Sequence, residues 1–399
     1  MARRGKRIPL VILLVLVGVA VLWGAWGAFR SGPEVDVVLD SDRPAIGGPG
    51  TVVDATFAEP DVGFDDVRLE VVQGDCRAQL AAMEIQTRSP FNPFGRVGQG
   101  QARLRAKVGQ ENPECLEEGE ARVRAIAQRV RGPLRTESLS VAELTLPVRF
   151  RPPRVQLLTG QHYVRQGGSG AVAFQVGEAA VTSGVVVGQA TFRAYPVPGG
   201  QPGDRFTLFG IPFDHATADD VRVFAEDAAG NRAEIPFVDL FKPSPPKHDV
   251  IRLPDSFLQR VVPAIASQTP DFEAEGELVD QYVWINSILR ERNRARVAAL
   301  STQSAEERMW EGAFLQLPNS QRMAGFAETR SYRYQGREVD EQTHLGLDFA
   351  SVARAEVPAA NAGRVLATGF LGIYGNAVIL DHGYGLVSVS AHLSRIDVE

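Results

Sequence analysis

The chain has 399 residues, a formal net charge of −6 at pH 7 and a hydrophobic share of 44%. That length leaves room for two to four domains, and the mildly acidic balance gives no basic footprint for nucleic acid. Its 39 glycines, 25 prolines and few, scattered aromatics suit turn-rich β domains and speak against a helical bundle.

The N-terminal "MARRGKR" carries Arg3, Arg4, Lys6 and Arg7, and an uncharged run follows from Ile8 to Phe29. About 22 apolar residues suffice to cross a bilayer as a helix. The basic flank predicts a cytoplasmic N-terminus, a single-pass anchor within residues 1–30 in contact with inner-membrane lipid, and a periplasmic or extracytoplasmic bulk. Trp23 and Trp26 suit the membrane interface. A cleaved signal peptide is the competing reading. Against it, the apolar run exceeds a typical signal core and no small-x-small site precedes Arg30.

From residue 35 to 151, "VDVVLD", "DVRLEVVQG", "QARLRAKVG" and "LSVAELTLPVRF" alternate or carry β-branched runs between turn residues, which predicts a first β-sandwich-like domain. Both cysteines, Cys76 and Cys115, fall within it. A disulfide and two buried thiols are both open readings. "RPPRVQLLTG" marks a junction, and residues 152–242 continue as a second β domain of short strands. Its "AEDAAGNRAEIPF" resembles the closing hairpin of bacterial immunoglobulin-like repeats, with Asp227, Gly230 and Asn231 supplying the turn.

"FKPSPPKHD" reads as a linker, opening a linker and helical segment over residues 243–330. There Leu278, Tyr282, Ile285 and Leu289 recur on one helical face. Arg290 to Arg296 is basic and reads as a solvated face rather than a site for anionic polymer or lipid. Phe314 to Gly336 reads equally as a strap or as a first strand. Strand and turn patterning fills residues 331–399.

Of six histidines, His162, His215 and His248 are far apart and lack ligand-spaced partners, so they read as structural or surface residues. His344, His382 and His392 share the C-terminal segment. In "HLGLD", His344 and Asp348 offer an imidazole and a carboxylate, and Gly346 between them favours a turn entering a strand. A hydrolytic zinc site uses about three such protein ligands plus an open position, and the metal lowers the pKa of its water to about 7. Alone, a pair at this spacing is a weak signal.

The surrounding run strengthens it. "HLGLD", "VPAANAGRV" from Val357, "YGNAVILDHGYGL" from Tyr374 and "SAHLS" ending at Ser394 follow in order. The series resembles the lysostaphin/LytM-type zinc endopeptidases, which cut peptidoglycan peptides. The resemblance implies a partial antiparallel β peptidase domain over 331–399. It implies His344 and Asp348 as zinc ligands, and His392 as the catalytic histidine that orients or deprotonates water and steadies the oxyanion. His382 is implied to be structural or near the groove. Two departures accompany it. Ser390 stands where the family often has tyrosine. The family's H-x-H segment, which supplies the third ligand and a second catalytic histidine, does not occur before Glu399. These departures predict a C-terminally truncated chain, one zinc ion poorly held, and little or no activity.

The fold expected is therefore mainly β: a transmembrane helix, two β-sandwich domains, a helical segment and a partial peptidase domain. The function expected is a membrane-anchored, zinc-dependent endopeptidase of peptidoglycan. The alternative is a non-catalytic LytM-like regulator or scaffold that activates cell-wall amidases or binds peptidoglycan. An adhesin-like protein with incidental histidines is disfavoured by the ordered motifs.

Overall fold

The computed structural model describes residues 12–22, 35–58, 64–84, 100–129 and 139–399. The first element, α1, is an 11-residue helix, Ile12–Leu22. At 1.5 Å per residue it spans about 16 Å, roughly half the hydrocarbon thickness of a bilayer. No helix among the described residues is long and apolar enough to cross a membrane. The expected transmembrane anchor is not supported, and neither is the single-pass localisation that rested on it. The expectation rested on the whole apolar run, of which the structure describes residues 12–22; Trp23 and Trp26 lie outside the described residues.

The rest is mainly β. The first seven strands are β1 (Asp36–Ser41), β2 (Thr51–Ala58), β3 (Phe64–Gln73), β4 (Cys76–Glu84), β5 (Gln101–Val108), β6 (Gly119–Arg129) and β7 (Leu139–Val148). They form two sheets, ordered β1-β2-β5 and β4-β3-β6-β7. Period-2 alternation sends Val53, Ala55 and Phe57 of β2, Val67, Leu69 and Val71 of β3, and Val123 and Ala125 of β6 into one core. Of the two readings of the cysteines, the disulfide is the one observed: Cys76 bonds Cys115.

The next ten strands are β8 (Val155–Leu157), β9 (His162–Arg165), β10 (Ser169–Val176), β11 (Ala180–Val187), β12 (Ala190–Arg193), β13 (Tyr195–Pro196), β14 (Asp204–Gly210), β15 (Val221–Asp227), β16 (Arg232–Pro236) and β17 (Val238–Lys242). Two four-stranded sheets, β13-β14-β10-β8 and β12-β11-β15-β16, are accompanied by a separate parallel pair, β17-β9. The turn between β15 and β16 is built as its residues dictate. Buried Asp227 accepts from the amides of Ala229 and Asn231, and Gly230 sits at φ 81°.

The chain divides into two compact units. One is Met1–Pro153 with Ala179–Val181 and Glu226–Ala233; the other is Arg154–Glu178, Thr182–Ala225 and Glu234–Glu399. In the second unit, part of the expected linker is a strand, β18 (Lys247–Arg252), which pairs parallel with a later one. Then come α2 (Asp255–Ala266), α3 (Leu278–Trp284), a π turn (Ile285–Leu289) and α4 (Arg290–Ser301). Tyr282, Ile285 and Leu289 are buried together with Leu258 and Val262. The π turn, a feature that often marks functional regions, buries Asn286.

The terminal strands are β19 (Gln321–Ala324), β20 (Glu328–Tyr334), β21 (Arg337–His344), β22 (Asp348–Ala350), β23 (Arg364–Phe370), β24 (Asn376–Gly383) and β25 (Leu386–Leu393). They make three sheets, β18-β20-β21, β19-β22 and β23-β24-β25. Two buried asparagines tie the helix to two of these sheets. Asn286 Nδ2 donates to Asp340 Oδ2 on β21 at 2.7 Å, and Asn293 Oδ1 accepts from Ile373 N, between β23 and β24, at 3.0 Å.

Residues 304–315 run as a strap along the end of β24. Ser304 and the Ala305 amide donate to Asp381, Met309 N donates to His382 O, and Tyr384 N donates to Ala305 O. Burial disfavours the Asp381 carboxylate, but the Ser304, Ala305, Gly383 and Arg364 donors outweigh it and hold its pKa below the usual carboxylate value. Gly383 is the closest approach, since a Cβ there would lie 1.7 Å from Glu307 O at φ +91°. Gly383→Ala is expected to lower the unfolding free energy by about 3 kcal/mol, from a left-handed alanine and at least one displaced hydrogen bond. Urea unfolding checks it, with Gly336→Ala as comparison. Gly336 shares a positive φ of +82° but has nothing within 4 Å, so it carries only the backbone cost of about 1 kcal/mol.

Candidate functional site

β20 and β21 form a hairpin whose Gln335–Gly336 turn has φ 49° and 82°, the left-handed pair that a two-residue hairpin needs. Its register places Glu328 opposite His344 and Arg330 opposite Gln342. β21 ends at His344. Leu345, Gly346 and Leu347 turn the chain, and β22 begins at Asp348, which pairs with Ala324. The segment between β19 and β20 then wraps the imidazole: Ala327 N donates to His344 O at 2.8 Å, and His344 Nδ1 lies 3.0 Å from Gly325 O.

That last contact places one ring proton. A carbonyl oxygen can only accept, so Nδ1 carries a proton, and Nε2 is the nitrogen turned outward. Nε2 faces Asp348 Oδ1 at 3.1 Å. Protonated, Nε2 donates to Oδ1; unprotonated, its lone pair and the carboxylate oxygen are two donors that a cation could share. The separation matches two zinc ligands on one tetrahedral edge, about 3.3 Å apart for bonds of about 2.0–2.1 Å. Gly346 leaves the approach open, because a Cβ there would sit 3.4 Å from Nε2. His344 is 14% exposed and Asp348 45%.

The other Asp348 oxygen is occupied. Arg330 Nη2 donates to Oδ2 at 3.0 Å, and Arg330 Nε and Nη2 both lie 3.4 Å from Glu328 Oε2. Partial burial works against the arginine's charge, but the bond to Asp348 outweighs it and the guanidinium pKa rises. Neither Arg330 nor the Gly325 carbonyl was singled out from the sequence. The only signal was the alternation of "ETRSYRY", which puts Glu328 and Arg330 on one strand face.

His392 lies on β25, exposed, at φ 57°. β24 and β25 slip register between Asn376 and Val378, so Ala391 and His392 together oppose Ala377. This is a β-bulge, a device that re-aims a side chain and often stands beside active sites. A non-glycine residue held left-handed costs of order 1–3 kcal/mol, a strain that clusters at functional positions. The structure brings His344 and Asp348 together but does not gather His392 with them. Among the described residues no group of three or more His, Cys, Asp or Glu is arranged to hold a metal.

His382 is fully buried, with Nδ1 donating to Ala362 O and the Ser388 hydroxyl donating to Nε2, each at 2.8 Å. Phe314 stacks edge-on against it at 4.8 Å. Both nitrogens are committed, which makes it a packing residue. The remaining histidines are dispersed: His162 meets Thr159, His215 meets Asp220 and His248 meets Ser331.

No curated protein matches the chain. Among solved structures it is similar to SGBP-B of the Bacteroides ovatus mixed-linkage glucan utilization locus, solved with a mixed-linkage heptasaccharide. The identity is 13% over 56% of this chain and 51% of that one, with a TM-score of 0.16. The chain spans about half the length of that protein, and a likeness this slight carries no argument. The terminal segment is different in kind: residues 342–399, which hold the His344–Asp348 pair and the bulged His392, match the model of Peptidase family M23.

Proposed function

We propose that the terminal segment is a zinc metallopeptidase site acting on peptide bonds of peptidoglycan. The observation that carries this reading is the His344–Asp348 pair, with Nε2 and Oδ1 3.1 Å apart and imidazole Nδ1 held from behind by Gly325 O. His344 Nε2 and Asp348 Oδ1 would hold the metal. Zinc bound there would supply Lewis acidity and a water acidic enough to ionise near neutral pH. Gly325 orients the imidazole and Arg330 anchors the carboxylate. The motif series assigns His392, which stands apart from the pair in this structure, the general acid–base role, in which it would take the proton from the attacking water and return it to the leaving amine. The peptidoglycan substrate rests on the motif series from His344 to Ser394 and on the family match.

A second reading has its own observation. Only two donors converge among the described residues, fewer than a hydrolytic zinc site uses. This favours a non-catalytic module that binds peptidoglycan or regulates other wall enzymes. One experiment separates the two. The full chain is incubated with purified peptidoglycan, with and without added zinc, and both new amino termini and protein co-sedimenting with the wall are measured. Zinc-dependent new amino termini are the expected result. Co-sedimentation without cleavage would move the assignment to the scaffold, and neither would sink both readings.

A further inference from the structure

The Asp348 carboxylate is nearly half exposed and stands at the mouth of a turn, so nothing in its own backbone keeps Oδ1 toward His344. Arg330 does. Its side chain is 17% exposed, better buried than the carboxylate it holds, and it reaches only one of the two oxygens. An arginine serving simply as a salt bridge gains most by gripping both carboxylate oxygens in its fork. Here one oxygen is gripped and the other is left to the imidazole. Glu328 Oε2 sits 3.4 Å from Arg330 Nε and from the same Nη2 that bonds Asp348, and Glu328 lies opposite His344 in the strand register. The tether and the imidazole are thus set by the same pair of strands. The charges also suit a cation: Glu328 and Asp348 against Arg330 leave one net negative charge, so the guanidinium does not cancel the attraction for a divalent ion.

We infer that Arg330, seated on Glu328, is the positioning residue of the metal pair, fixing Asp348 so that Oδ1 rather than Oδ2 meets a cation held with His344. The inference rests on the reading that this pair binds zinc. Outer residues that orient a ligand typically contribute 10–100-fold to metal affinity.

The test compares the full-length chain with Arg330→Gln, Arg330→Lys and Glu328→Gln. Three quantities are read: zinc affinity by competition with a chromophoric chelator, the visible absorption spectrum of bound cobalt, and urea unfolding of the metal-free protein. Arg330→Gln is expected to weaken zinc binding about 10–100-fold and to alter the cobalt bands, with metal-free unfolding little changed. Arg330→Lys should fall between, since its point charge lacks the planar fork. Glu328→Gln, which keeps the arginine but loosens its seat, should show a smaller loss and covers the case in which Arg330→Gln does not fold. Unchanged zinc affinity in the folded variants, with only unfolding affected, would make Arg330 a structural ion pair and overturn the inference alone. A wild-type chain that is folded and binds no zinc would overturn the metal reading and this inference together.

Discussion

Asp348→Ala is expected to weaken zinc binding by about 100-fold or more and to abolish any zinc-dependent release of amino termini from peptidoglycan. The substitution removes one of two converging donors, a larger loss than the 10–100-fold typical of an outer residue. His344→Ala should do the same from the other side. Asp348→Asn is the informative comparison. It keeps the shape and can still accept from Arg330, but it loses the negative charge that attracts the cation. Affinity near that of Asp348→Ala would assign the effect to charge, whereas affinity near wild type would show that the pair is not a metal site. Chelator competition gives the affinities. Urea unfolding of each metal-free variant should shift by no more than about 1 kcal/mol, because a half-exposed ion pair contributes little to stability.

Loss of the Cys76–Cys115 bridge is expected to cost the first unit about 4 kcal/mol, the chain-entropy value for a cross-link enclosing roughly 40 residues. The sequence separation is 39, and Cys76 packs against the sandwich core at the start of β4. Cys76→Ser, Cys115→Ser and reduction of the wild-type protein should converge on the same lowered unfolding midpoint. Reduction should have no further effect on either variant. A midpoint unmoved by reductant would show that the two sheets hold the unit without the bridge.

The features legible in the sequence are those that depend on residues near one another in the chain. Asp227, Gly230 and Asn231 announce their turn because an aspartate caps amides two and four residues on. Tyr282, Ile285 and Leu289 announce a buried stripe because helical spacing aligns them. His344 and Asp348 meet because one short turn joins their strands. What the sequence hid depends on distant partners. Arg330 reaches Asp348 across a strand register, and the strap at 304–315 is fixed by carbonyls and a carboxylate on β24. The His392 bulge arises from a slip between β24 and β25.

The helix of the second unit also works as a ruler. Asn286 holds the sheet that ends at His344, and Asn293 holds the turn leading into the sheet whose far strand carries His392. Seven positions separate the two asparagines, close to two turns and about 10 Å along the axis. The offset between the strand that ends at His344 and the sheet that carries His392 is therefore set along one helix, whose first anchor sits in the π turn. Removing one residue between the asparagines would rotate one anchor by about 100° relative to the other. It would shift the two sheets against each other without touching His344, Asp348 or His392.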